Sequence, residues 1–194
     1  MMVRLGITGG IGSGKSFVCH CLNEVFGIPV YNCDLRAREL MNTDADIRKG
    51  LIAMLGNEAY DVESGCLNRK RVADFLFMSS NNAKRIESIV HPVVRRDLQS
   101  WFSKQDAEIA AMESAILYES GFDTEVDCVV FVDAPLNMRV DRIMTRDKVT
   151  AEEAIRRMTF QHTDESRTRA NYIVLNDGQK KIGIQIKKII QSLC

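Results

Sequence analysis

The chain has 194 residues, 45% of them apolar, with 26 basic and 26 acidic side chains and a formal net charge of zero. That length fits one domain with appended subdomains and a sizeable core. Zero net charge gives no global field toward nucleic acid or an anionic membrane, so any basic site must be local.

The six cysteines (Cys19, Cys21, Cys33, Cys66, Cys128 and Cys194) form no C-x-x-C pair. They read as mostly buried small hydrophobes in a reducing cytoplasm. The opening MMVRLGITGG is too short in its apolar part for a signal peptide, and no run is long and apolar enough to span a bilayer.

Val3 to Thr8 reads as a short strand ending in glycines, and Phe17, Val18, Cys21, Leu22 and Val25 as the apolar stripe of a helix. Ile28 to Tyr31 predicts a second strand. Leu35 to Phe102 is mainly helical, punctuated at Gly56, at Gly65 and at 79–82. Ile109 to Met112 and Cys128 to Val132 have the length of buried parallel strands. Leu136, Val140, Ile143 and Met144 mark another amphipathic helix. Thr150 to His162 is helical and densely charged. Tyr172 to Leu175 is a last strand, and Ile182, Ile186, Ile189, Ile190 and Leu193 a last helix. Strands alternating with helices predict an α/β fold with a parallel sheet. With no linker in view, one domain is expected: a core at 1–40, 107–145 and 170–194, a helical insertion at about 41–106 and a lid at about 146–169.

Residues Gly9 to Ser16 match G-x-x-x-x-G-K-[ST] in full, between a strand and a helix. A triphosphate needs several backbone N–H groups converging on it, and Gly9, Gly10, Gly12 and Gly14 clear side chains from that approach. Gly10, Ile11, Gly12, Ser13 and Gly14 are expected to cradle the phosphates at the helix N-terminus. Lys15 brings a mobile charge to the β- and γ-phosphates, and Ser16 a hydroxyl to Mg²⁺. An Asn-Lys-x-Asp element for guanine is absent, which favours ATP, and the size favours a small kinase.

Such a kinase needs a metal-orienting carboxylate, a group on the acceptor hydroxyl, an acceptor surface and arginines over the transferring phosphate. Asp34 follows the second strand, where it suits either a proton-accepting carboxylate or a helix N-cap. Glu113 and Asp133 both close a buried strand. Either fits a carboxylate on a magnesium-bound water, with Glu113 preferred because it directly precedes the acceptor segment. Arg139, Arg142 and Arg146 share one helix face and feed the charged segment 147–169, expected to close over ATP and exclude water.

These residues resemble the dephospho-coenzyme A kinase family along essentially the whole chain. The resemblance begins at Leu5 to Ser16, whose double glycine is more specific than a generic phosphate loop. It continues through Asp34, the His91-Pro92 pair, and Ile116-Leu117-Tyr118-Glu119 against the family's PLLFE segment. It implies a five-stranded parallel sheet, a helical acceptor subdomain and a lid. The implied reaction phosphorylates the ribose 3′-hydroxyl of dephospho-CoA with Mg·ATP, the last step of coenzyme A biosynthesis.

On this resemblance Asp34 is the catalytic base or orienter, and Lys15 and Arg142 stabilise the transferring group. Arg146 belongs to the lid over ATP, and Thr8, Asp34, His91, Tyr118 and Glu119 serve the acceptor. Three positions depart from the family pattern: Glu113 for an aspartate, Ala115 for a proline and Asn171 for an aspartate. The competing readings are a kinase for another small acceptor, and a nucleotide-sensing module that transfers nothing. No sequence feature sets an oligomeric state.

Overall fold

The computed structural model describes residues 2–79, 81–159, 161 and 163–193, apart from the Phe77 side chain. His162, at the end of one expected helix, and Cys194 lie outside the described residues. The chain divides into two compact units, Met1–Asn32 with Lys104–Cys194 and Cys33–Ser103.

The first unit is an α/β sheet. Its strands are β1 (Val3–Thr8), β2 (Val30–Asn32), β3 (Ile109–Glu113), β4 (Cys128–Asp133) and β5 (Tyr172–Leu175). All pairings are parallel, in the order β2-β3-β1-β4-β5. β1 is central, with Val3 opposite Ile109 on one side and Leu5 opposite Cys128 on the other. Every residue of β3 is buried, as a strand covered on both faces requires. β2 starts at Val30 rather than Ile28. Pro29 has no N–H for a ladder, and its carbonyl accepts the Ala111 N–H as the pairing begins.

Helix α1 (Lys15–Phe26) follows β1 and stops at Gly27, which is left-handed with φ 66°. The Gly27 N–H donates to the Asn23 carbonyl and the Ile28 N–H to Leu22, satisfying the last turn. α1 buries Val18, Cys19 and Leu22 in a cluster with Leu5, Ile7 and Val130. Phe17 and Val25, expected in the apolar stripe, are 55% and 69% exposed. The sheet takes the 18-19-22 face, and these two lie outside it. Helix α9 (Ile182–Leu193) closes the same core with Ile182, Ile186 and Ile189.

Helix α6 (Leu136–Asp147) buries Ile143, while Leu136 sits 62% exposed in its first turn. The charged segment after it is two helices. α7 (Ala151–Met158) is capped by Thr150, whose Oγ1 accepts the Glu153 N–H, and α8 (Thr163–Arg169) follows.

The second unit is helical. It contains α2 (Cys33–Thr43), α3 (Ala45–Leu55), α4 (Arg69–Met78) and α5 (Asn82–Ser103). Its boundary falls at Cys33 rather than near residue 41, because α2 is tied to α5: Arg36 holds Asp97 through Nε at 2.8 Å and Nη2 at 2.9 Å. Asp44 caps α3 by accepting from the Asp46 and Ile47 N–H groups. Leu40, Ile47, Leu51, Val94, Leu98 and Phe102 are buried in this unit. α5 runs through Pro92, which leaves the Ser88 carbonyl without its helical donor. Among the described residues no helix is long and apolar enough to cross a membrane.

Candidate active site

The loop between β1 and α1 lies at the carboxyl end of the sheet, the usual ligand edge of an open α/β fold. Gly14 caps α1 in a left-handed conformation and offers no side chain, leaving the amides of the first turn for an anion. The glycines also answer to the fold itself. Gly12 has φ +78°, and a Cβ there would stand 2.6 Å from the Arg139 carbonyl oxygen. The loop therefore needs glycine to pack against α6 as well as to admit phosphate.

Lys15 Nζ arches back over the loop, donating to the carbonyls of Gly9 at 2.8 Å and Gly10 at 3.4 Å. That posture holds the ammonium at the loop rather than in solvent. Ser16 Oγ donates to Glu113 Oε1 at 3.2 Å, and Asn32 Nδ2 to Glu113 Oε2 at 2.7 Å. Glu113 is 6% exposed. Burial, reinforced by this carboxylate, pushes the neighbouring Cys19 thiol well above its ordinary pKa, so Cys19 stays protonated. Asp133, the alternative to Glu113, accepts instead from Arg167 Nε of α8 at 3.0 Å.

A hydroxyl and a carboxylate held side by side are hard oxygen donors and fit Mg²⁺ carried on phosphate oxygens. Among the described residues no three His, Cys, Asp or Glu side chains cluster as a metal cage. Thr8, the last residue of β1, is buried directly ahead of the loop.

The arginine face of α6 splits in its partners. Arg139 Nε donates to the Ile11 carbonyl at 3.0 Å. Its Nη2 is buried with no hydrogen-bond partner, and burial lowers its pKa against the pull of Asp133 and Asp164. Arg142 Nη1 donates to the carbonyls of Gly12 and Ser13 at 3.2 and 3.1 Å, and Nη2 to the Asn176 carbonyl at 3.3 Å. Arg146 turns away and pairs with Asp147 at 2.7 Å, 62% exposed. Two residues that the sequence reading did not place at the loop also hold it. Asn176 Nδ2 donates to the Ser13 carbonyl at 2.8 Å, and Gln161, between α7 and α8, accepts the Ile11 N–H at 2.6 Å.

Tyr118 lies in the turn after β3. The Arg169 guanidinium sits 4.1 Å over its ring, and its hydroxyl is buried without a partner. Burial raises its pKa. The adjacent Glu119 is exposed. Asn171, at a position where the family carries aspartate, accepts the Val129 N–H through Oδ1 at 2.8 Å and so joins β5 to β4.

In the helical unit, α2 begins at Cys33, so Asp34 is its second residue and not its N-cap. It is exposed, and no hydrogen bond or ion pair with another described residue engages its carboxylate. As a first-turn acid it complements the helix dipole, and its oxygens remain open to a ligand.

His91 is half-buried on α5 between Glu87 and Arg95. Burial first, then Arg95, holds its pKa below 6.5, against the opposite pull of Glu87. A group depressed on folding contributes stability above its unfolded pKa and loses it as pH falls through the folded value. The melting temperature is expected to drop between pH 7.5 and pH 5, and a His91→Gln variant to show a smaller drop over the same window.

The family model described as dephospho-CoA kinase matches residues 3–181. A dephospho-CoA kinase of Bacteroides fragilis is 44% identical over 195 residues, covering 100% of this chain and 94% of that protein. A solved structure from Thermus thermophilus superposes with a TM-score of 0.83 at 31% identity, covering 98% of this chain and 97% of the other. Dephospho-CoA kinase from Campylobacter jejuni shares the fold, with a TM-score of 0.70 at 22% identity over 100% of this chain and 98% of its own. With its phosphate loop, its Ser16–Glu113 pair and its five parallel strands all in place, the chain belongs to the dephospho-CoA kinase family.

Proposed function

We propose that the protein transfers the γ-phosphoryl group of Mg·ATP to the ribose 3′-hydroxyl of dephospho-CoA, giving CoA and ADP, the last step of coenzyme A biosynthesis. The observation that carries the reading is the Ser16–Glu113 pair beside Lys15 at the loop, in a chain of this family.

The 3′-oxygen forms a bond to the γ-phosphorus while the bond to the β,γ-bridging oxygen breaks, and ADP leaves. The hydroxyl proton passes to the Asp34 carboxylate and on to solvent. In a loose transition state that transfer comes late, so Asp34 orients the oxygen before it accepts the proton. Lys15 follows the negative charge moving toward the leaving oxygens, and the loop amides other than those of Ile11 and Ser13, which Gln161 and Gly10 engage, fix the phosphates. Mg²⁺, when bound, would neutralise phosphate charge. Ser16 would supply it a hydroxyl, and Glu113 would orient its water.

Arg142 and Asn176 brace the loop from its carbonyl side and border the ATP site. Arg139 carries an unspent buried N–H for phosphate, and Arg146 belongs to the lid over ATP. Thr8, His91, Tyr118 and Glu119 are assigned to the acceptor on the family's motifs. A reducing cytoplasm is the setting; none of the five described cysteines is in a disulfide.

Glu113→Gln tests the metal assignment. The concentration of Mg²⁺ for half-maximal ADP formation should rise about tenfold, the scale seen when a metal's outer partner is lost. Asp133→Asn should leave it unchanged. The acceptor assignment is checked by phosphorus NMR of the product. A new phosphomonoester on the 3′-oxygen is expected, and phosphate on any other oxygen would refute the reading.

A further inference from the structure

The middle of the phosphate loop carries one apolar side chain, Ile11, between Gly10, Gly12 and Ser13. Helix α6 and the charged segment after it hold this residue on three sides. Its side chain packs into a small core of Ile143 from α6 with Ala154 and Met158 from α7. Its carbonyl accepts from Arg139 Nε of α6 at 3.0 Å. Its N–H donates to Gln161 Oε1, in the turn between α7 and α8, at 2.6 Å. α8 then starts against the same stretch, since Thr163 Cγ2 would stand 2.9 Å from a Cβ at Gly10.

These contacts fix different things. Apolar packing is non-directional, so it places Ile11 without setting the planes of its peptides. Hydrogen bonds are directional and do set them. The carbonyl side of the loop is held several times over, by Arg139 at Ile11, by Arg142 at Gly12 and Ser13, and by Asn176 at Ser13. On the amide side, the Ser13 N–H is spent within the loop on the Gly10 carbonyl. The Ile11 N–H is engaged by Gln161, from 150 residues away.

We infer that Gln161 is a positioning residue for phosphoryl transfer. It acts through the Ile11 peptide, holding the loop in the shape that admits the triphosphate. The same bond fastens the turn between α7 and α8 beside the loop, so loop shape and lid position are set together. A lid fastened there keeps water from the γ-phosphate. The Gln161–Ile11 bond persists when nucleotide binds, because the phosphates use the other loop amides. The inference rests on ATP as donor and dephospho-CoA as acceptor.

Wild-type turnover of dephospho-CoA, measured first, tests that reaction itself. Calorimetric titration of the full chain with Mg·ADP and with a non-hydrolysable ATP analogue then reads the loop. Gln161→Ala should bind both about fivefold more weakly, the worth of one neutral hydrogen bond, with the KM for dephospho-CoA held. Gln161→Asn keeps the amide, loses the reach and should match it. Gln161 is half-buried in a turn, so both variants should melt close to the wild type. ADP formed without acceptor, as a share of that formed with it, should rise in both, because the released turn admits water. Damage to the fold alone would lower the two rates together and leave their ratio unchanged. If Gln161 only fills a place that phosphate takes over, its removal would tighten nucleotide binding, and that result would overturn the inference. If the wild type uses dephospho-CoA and both variants keep its nucleotide affinity, Gln161 has no such role and the kinase stands.

Discussion

Lys15→Ala lowers the rate of phosphoryl transfer on the order of 10²-fold or more, with the fold retained. The ammonium is the one loop side chain that can move with charge as it shifts toward the leaving oxygens, and such electrostatic help dominates phosphoryl transfer. In the structure it is parked on the Gly9 and Gly10 carbonyls, partners that a phosphate oxygen can outcompete. Those carbonyls belong to a part-buried loop also braced by Arg142 and Asn176, so the variant should melt close to the wild type. Single-turnover rates at saturating ATP check the effect, because they separate chemistry from binding. A rate within a few-fold of the wild type would remove Lys15 from the transition state.

Asp34→Asn is the second large effect. A positioned carboxylate on the attacking hydroxyl is worth about 10²- to 10⁴-fold. The asparagine keeps the shape and one hydrogen bond and loses the proton acceptor, so kcat should fall by about 10²-fold with the KM for ATP unchanged. The structure separates this from damage to the fold. Asp34 is exposed, caps nothing and pairs with nothing described, so the substitution costs stability only through the helix dipole, about 0.3–1 kcal/mol. Melting curves of the two proteins should nearly overlay.

The parts of this site that the sequence displays are those written in contiguous residues. The loop is an octamer whose backbone geometry needs glycine at fixed offsets, so its position, its strand and its helix are all legible. The five strands are legible because buried parallel strands are short apolar runs. What escapes is set by long-range partners. Gln161 meets Ile11 across 150 positions, Asn176 meets Ser13 across 163, and Asn32 meets Glu113 across 81. A lone amide carries no periodic signal.

Helical spacing likewise places Arg139 and Arg142 on one face of α6 without saying what that face meets. It meets the loop's own carbonyls. The choice between Glu113 and Asp133 is of the same kind. Both close strands, and only the fold shows that one adjoins Ser16 and the other Arg167. Asp34 was open between base and cap until the helix start at Cys33 removed the cap.

ADP release from Mg·ATP, with and without dephospho-CoA, in the wild type and in Asp34→Asn, tests the central claim most directly. Turnover that depends strongly on the acceptor and collapses in the variant is the predicted result. Turnover indifferent to dephospho-CoA would contradict it.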